Sequence, residues 1–246
     1  MYKRQLQVGT AEGILLAAVI LVAGSAWFLS SPELGRVRIP RSKRRLGSVL
    51  TKRPVILATI AGFLLIGACS AVEAGVVAAL GSDGAISGVV LGVFSAGSLF
   101  GGLAFGHRPI RPWTLAIRLT IVAAGMLAAC FWLNPFWIAV MLFLAGIGIA
   151  PALAVLFGIV SASVRFSDTA EAYGWVGTGQ LIGAALGSAI AGFLIDGTGP
   201  IGAFFVAAML ALLGAVVAAV FHGWSPDLRG RDASPIPDTE PLEIIT

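Results

Sequence analysis

Seven stretches of this chain stay apolar for about 20 residues or more, and polar or turn-forming residues separate them. They run Thr10–Leu29, Pro54–Leu80, Ala85–Gly106, Pro112–Leu133, Phe136–Val164, Ala170–Ile195 and Pro200–Phe221. A helix rises about 1.5 Å per residue, so about 20 residues cover a hydrocarbon core about 30 Å thick. Each stretch is long enough to cross. Their hydrophobicity is continuous instead of alternating, which predicts helices and argues against a barrel. The breaks at 81–84, 107–111, 134–135, 165–168 and 196–200 carry the Gly, Pro, Asn and Asp residues that turn a chain.

Composition fits that pattern. Of 246 residues, 58% are hydrophobic and 11% charged, with a mean hydropathy of +0.96. A soluble domain needs about a quarter of its residues charged, so a soluble fold, a disordered chain and a disulfide scaffold are excluded. Cys69 and Cys130 lie inside apolar runs, and no CxxC or His/Cys spacing suggests a metal or a cofactor. The net charge of +4 would suit nucleic acid. Position argues otherwise: eight of the 16 basic residues crowd between Arg36 and Arg53, beside a span, where they set orientation and face anionic lipid.

Thirteen of the 16 Lys and Arg residues fall on one side of the seven spans. The positive-inside rule then predicts an outside N-terminus and a cytoplasmic C-terminus in the cell membrane, multi-pass. The organisation reads as a first transmembrane helix (1–29), a basic cytoplasmic loop (30–53), a six-helix bundle (54–221) and a disordered cytoplasmic tail (222–246) rich in proline. The start Met1–Leu6 is too short and polar for a signal peptide, and Lys3 and Arg4 would sit outside against the rule. These features predict the latter part of a longer chain.

Three local patterns then point to a family. Gly101-Gly-Leu-Ala-Phe-Gly-His-Arg108 is similar to the G-x-L-A-D-R loop motif of the major facilitator superfamily of secondary transporters, with Phe105 where the motif has its aspartate. Ala145-Gly-Ile-Gly-Ile-Ala-Pro151 resembles the glycine-proline centre of the family's helix ten, and the sixth span, with Gly179, Gly183 and Gly187, looks like helix eleven of bacterial efflux members. The resemblance implies an all-α fold: the C-terminal six-helix half of a major facilitator protein, preceded by one helix. It also implies alternating-access transport of a small organic solute, drug-like or sugar-like, by proton-coupled efflux. The transport path in this family lies between two halves, so the resemblance implies a partner, either an N-terminal half or a second protomer.

Ionisable groups inside spans are expected to work, because burying them in lipid is costly. Glu73, beyond the middle of the second span, could bind a proton or a cationic substrate; its plain alternative is to reach the outer headgroups. Gln180 could bond substrate or another helix. Tyr173, beside Trp175, is a further substrate candidate, although aromatic rings near an interface also serve as anchors. Arg118 follows Pro112 by six residues and is expected to snorkel to headgroups. Glu12 and Asp196 lie near span ends. The stripes Gly179-Gly183-Gly187 and Gly88-Gly92-Ala96 are expected either to face a partner half or to pack within the bundle. Pro151 is expected to kink the fifth span, as a gate or as a fixed bend. Gly101, Gly102 and Arg108 form the candidate loop motif.

Two other function classes stand beside transport. A non-transporting scaffold would bind a partner through its glycine stripes. A membrane enzyme would cluster His, Asp or Glu at one face, and this sequence does not. No phosphate-cradling loop suggests ATP use.

Overall fold

A computed structural model describes residues 2–31, 47–81, 84–231 and 233–238. Most of the predicted basic loop (32–46) and the chain end (239–246) lie outside the described residues. Among the described residues there are seven α-helices and no strand: α1 (Tyr2–Leu29), α2 (Arg53–Leu80), α3 (Gly84–Phe105), α4 (Thr114–Ala129), α5 (Pro135–Ser161), α6 (Thr169–Thr198) and α7 (Pro200–Val220). The chain is an all-α polytopic membrane protein, with six helices long and apolar enough to cross a bilayer. Residues 1–41, which hold α1, form one compact unit, and residues 42–246 form another. Within the first, the apolar stretch Glu12–Leu29 has the length of a span. The architecture that follows is that of α2–α7.

The exception among the spans is α4, with 16 residues. The predicted stretch Pro112–Leu133 loses both ends to turns. At the start, the Arg111 amide donates to Thr114 Oγ1 at 2.9 Å. At the finish, the chain leaves the helix at Cys130, and Asn134 starts the next one: its Oδ1 accepts from the Phe136 amide at 2.9 Å, with Pro135 at the first helical position, where no donor is needed. By contrast α6 runs three residues past its predicted end to Thr198, and Gly199 stops it at φ 72°.

Helix pairing follows a repeat. α2 packs on α6 and α7, and α5 packs on α3 and α4 in the corresponding way. Exchanging the triplet α2-α3-α4 with α5-α6-α7 therefore maps the main pairs onto one another, while α4·α7 and α2·α5 map onto themselves. Three helices per triplet means that the second copy runs inverted.

The same repeat appears in atomic detail. A Cβ placed on Gly183 would strike the Phe63 carbonyl oxygen, and one on Gly187 would strike that of Gly67. In the other pair, a Cβ on Gly97 would strike the Phe143 carbonyl oxygen and one on Gly101 that of Ile147. Each site pairs two glycines four apart with two carbonyls four apart, a spacing that suits close parallel backbones and Cα–H···O contacts. Thus Gly179, Gly183 and Gly187 pack within the bundle against α2. Gly88 and Gly92 meet nothing within 4 Å; on α3 the packing falls one turn or more further on, at Gly97 and Gly101.

The chain after α7 departs from the predicted disorder. Among residues 222–238, His222 stacks on Trp113 with ring centroids 4.2 Å apart, and buried Leu228 donates its amide to the Ile110 carbonyl at 3.0 Å. The Ile236 amide donates to the Val164 carbonyl at 3.0 Å, and its own carbonyl accepts from the Phe166 amide at 3.1 Å. The segment thus straps the α3–α4 loop to the α5–α6 loop. Between the two docking points, the Arg229 guanidinium sits 2.6 Å from Asp227 and holds that carboxyl below the usual carboxylate range. Backbone bonds at Leu228 and Ile236, together with the buried Leu228 side chain, dock this polar, proline-rich run.

Gly187→Val should force α2 and α6 apart and lower the stability of the detergent-solubilised protein by about 1–3 kcal/mol. Gly88→Val and Gly92→Val should change it by less than about 0.5 kcal/mol. Thermal unfolding followed by tryptophan fluorescence compares the three.

Candidate functional site

On α2 the faces are decided by size and polarity: Ala61, Leu65, Ala68, Val72 and Val76 are buried, whereas Glu73 and Val77 are exposed. Ser70, three residues before Glu73, shares its face. This strip forms one wall of an open groove of about 910 Å³ whose other walls are Leu91 of α3 and Leu181, Ala184, Ala185 and Ser188 of α6. The groove is apolar apart from Ser70, Glu73 and Ser188. The Ser188 hydroxyl donates back to the Ala184 carbonyl at 2.9 Å, leaving its lone pairs towards the groove's surroundings. Among the described residues, no cation lies within ion-pair distance of Glu73.

A carboxylate of this kind, set in a membrane helix beside an apolar groove, can do two things chemically. It can accept a proton, or it can pair with a cationic group brought in by a solute. The groove supplies apolar contact for the rest of such a molecule.

The three candidate binding residues do not converge. Gln180 lies against α2 at Gly62, the side-chain atoms nearest to where a Gly62 Cβ would stand. Gly62 is eleven residues from Glu73, or about 16 Å along the helix. The Gln180 Nε2 is buried and has no hydrogen-bond partner among the described residues. Tyr173 lies two turns earlier on α6, half-buried, with its ring edge-on to Phe157 of α5 at 5.3 Å. It packs inside the bundle and is remote from the groove. Ser70 and Ser188 are the groove residues that sequence reasoning missed; the three-residue spacing from Glu73 was the available signal for Ser70, while Ser188 depends on how α6 crosses α2.

Arg118 overturns the snorkelling expectation. It is 7% exposed. Its Nη1 donates to the Pro151 carbonyl, and its Nη2 donates to the Phe105 carbonyl at 2.9 Å. The physical reason lies in where α4 packs: it brings Arg118 within reach of the carbonyl of Phe105, in the last turn of α3 where helical donors run out, and of that of Pro151 on α5. The carbonyl that Pro151 deprives of its donor, that of Ile147, is the one against Gly101. Of the loop motif, Gly101 and Gly102 thus act in packing, Gly102 close to Ala150, while exposed Arg108 sets its guanidinium over the Phe105 ring at 4.9 Å. At the same end of the bundle, Lys52 Nζ donates to the Ser163 carbonyl at 2.8 Å and the Gly47 amide donates to Glu171, fixing the entry to α2. Asp196 is exposed in the last turn of α6, and Glu12 is exposed on α1.

Because Gln180 Nε2 makes no bond, Gln180→Met should hold or raise stability, by up to about 1 kcal/mol. A loss of that size in thermal unfolding would mean that the amide is bonded after all.

Residues 70–243, well over half of the chain, match the family model described as Major Facilitator Superfamily. No curated protein matches the chain.

Proposed function

This chain belongs to the Major Facilitator Superfamily, and from that premise we propose that it moves a small organic solute across the membrane by alternating access, using the groove around Glu73. Transport of the major facilitator type follows from membership. The finer reading is supported by one observation: a carboxylate with no cationic partner among the described residues, standing in an apolar groove between α2, α3 and α6. That chemistry suits an amphipathic or cationic solute and a proton as the coupling ion. With no ATP-binding loop in the sequence, the energy source is an ion gradient or the solute's own gradient, and efflux of drug-like or sugar-like compounds is the direction and class that the resemblance to efflux members favours. The groove is open, and a second helix bundle, from an N-terminal half or from a second protomer, would close it and complete the path. The basic end of the bundle, with Arg108, Arg111 and Arg165, faces the cytoplasm of the cell membrane in this reading.

Reconstituted vesicles carrying a pH gradient and a fluorescent lipophilic cation test it. The wild-type protein should drive the cation against its gradient, and Glu73→Gln should reduce the flux to that of empty vesicles while eluting and melting like the wild type. Unchanged flux and pH dependence in Glu73→Gln would remove the carboxylate from the mechanism.

A further inference from the structure

The triplet repeat fails at one place. α6 and α7 pack together, with Gly202 close to Leu194, whereas their counterparts α3 and α4 do not pack along their length. Where α3 ends at Phe105, the connecting loop, α4 and α5 enclose a cleft of about 380 Å³ at the basic end of the bundle. Ile117, Arg118 and Ile121 of α4 form its wall, Ile147 and Pro151 of α5 its floor, and Arg108 and Arg111 of the connecting loop its mouth.

Arg118 makes this cleft unusual. Its bonds from Nη1 and Nη2 go to neutral carbonyls, and a guanidinium has five N–H groups. Among the described residues, no carboxylate lies within ion-pair distance of it, and the charge that acts on it is a second cation, Arg108. Asp227, which faces Arg111, is already engaged by Arg229. An isolated guanidinium buried in a membrane protein needs a counter-charge, and a converging set of cations needs it more. The walls specify its form. A free phosphate would leave Ile117, Ile121 and Ile147 uncovered, while a molecule with an anionic head and an acyl chain satisfies both parts of the cleft.

We propose that the α3–α4 cleft is a binding site for one anionic phospholipid. Arg108, Arg111 and the remaining N–H groups of Arg118 hold its phosphate, and an acyl chain lies along Ile117, Ile121 and Ile147. The lipid then supplies the negative charge that the bundle itself withholds from Arg118.

The test uses the full chain, stripped of lipid in neutral detergent and titrated under native mass spectrometry with phosphatidylglycerol, phosphatidylcholine or glycerol phosphate. Phosphatidylglycerol should give a saturable single adduct, phosphatidylcholine should bind about tenfold more weakly or worse, and glycerol phosphate should neither bind measurably nor displace the lipid. Arg108 and Arg111 are exposed, so the double variant Arg108→Gln/Arg111→Gln should fold normally and lose about tenfold or more of the phosphatidylglycerol affinity. The charge-matched control Arg53→Gln/Arg231→Gln, at positions outside the cleft, should stay within about twofold. Equal binding of the two lipids, or an equal loss in the control, would overturn the proposal. Displacement of the lipid by glycerol phosphate would overturn it in favour of a soluble phosphate ligand.

Discussion

Helices dissolved in lipid gain little from hiding apolar surface, because the solvent is as apolar as they are. What holds this bundle is therefore contact between backbones, and its geometry is set where two helices come close enough for a carbonyl to meet a glycine. Phe63 and Gly67 against Gly183 and Gly187, and Phe143 and Ile147 against Gly97 and Gly101, are the same joint made twice. Each joint fixes the register of a parallel helix pair, α2 with α6 and α5 with α3, and the rest of the packing follows from those two pairs. Leu65, Leu119, Met126 and Phe204 fill the space that remains.

Polar groups obey a different economy in the same medium. The two most consequential charges in the bundle, Glu73 and Arg118, meet the cost of lipid in opposite ways. Glu73 stays exposed on a groove, available to whatever enters. Arg118 turns inward, to the carbonyls of Phe105 on α3 and Pro151 on α5.

Much of the fold was legible in the chain because hydrocarbon thickness imposes a length on any spanning helix, and six apolar runs meet it within a few residues. The exceptions have local causes. Hydropathy cannot see that the turns before Thr114 and after Ala129 shorten α4 at both ends, with Asn134 already capping α5, nor that Leu228 and Ile236, in a polar, proline-rich segment, dock on the bundle. Of the candidate site, Glu73 could be read as an acid out of place. Its separation from Tyr173 could be read as well, since Tyr173 stands near the start of its span and Glu73 beyond the middle of a parallel one, whereas which residues of α6 share the groove depends on how α6 crosses α2. The glycine stripes show the same limit: Gly88-Gly92 and Gly183-Gly187 are equivalent as patterns, and only the register between helices determines which one meets a backbone.

The strap formed by the described residues between 222 and 238 joins the two inverted triplets, since Ile110 belongs to a loop within the first and Val164 and Phe166 to a loop within the second. A tie of that kind resists shear between them. Helices α2–α7 would therefore tilt as one block, like a lever pinned at its basic end.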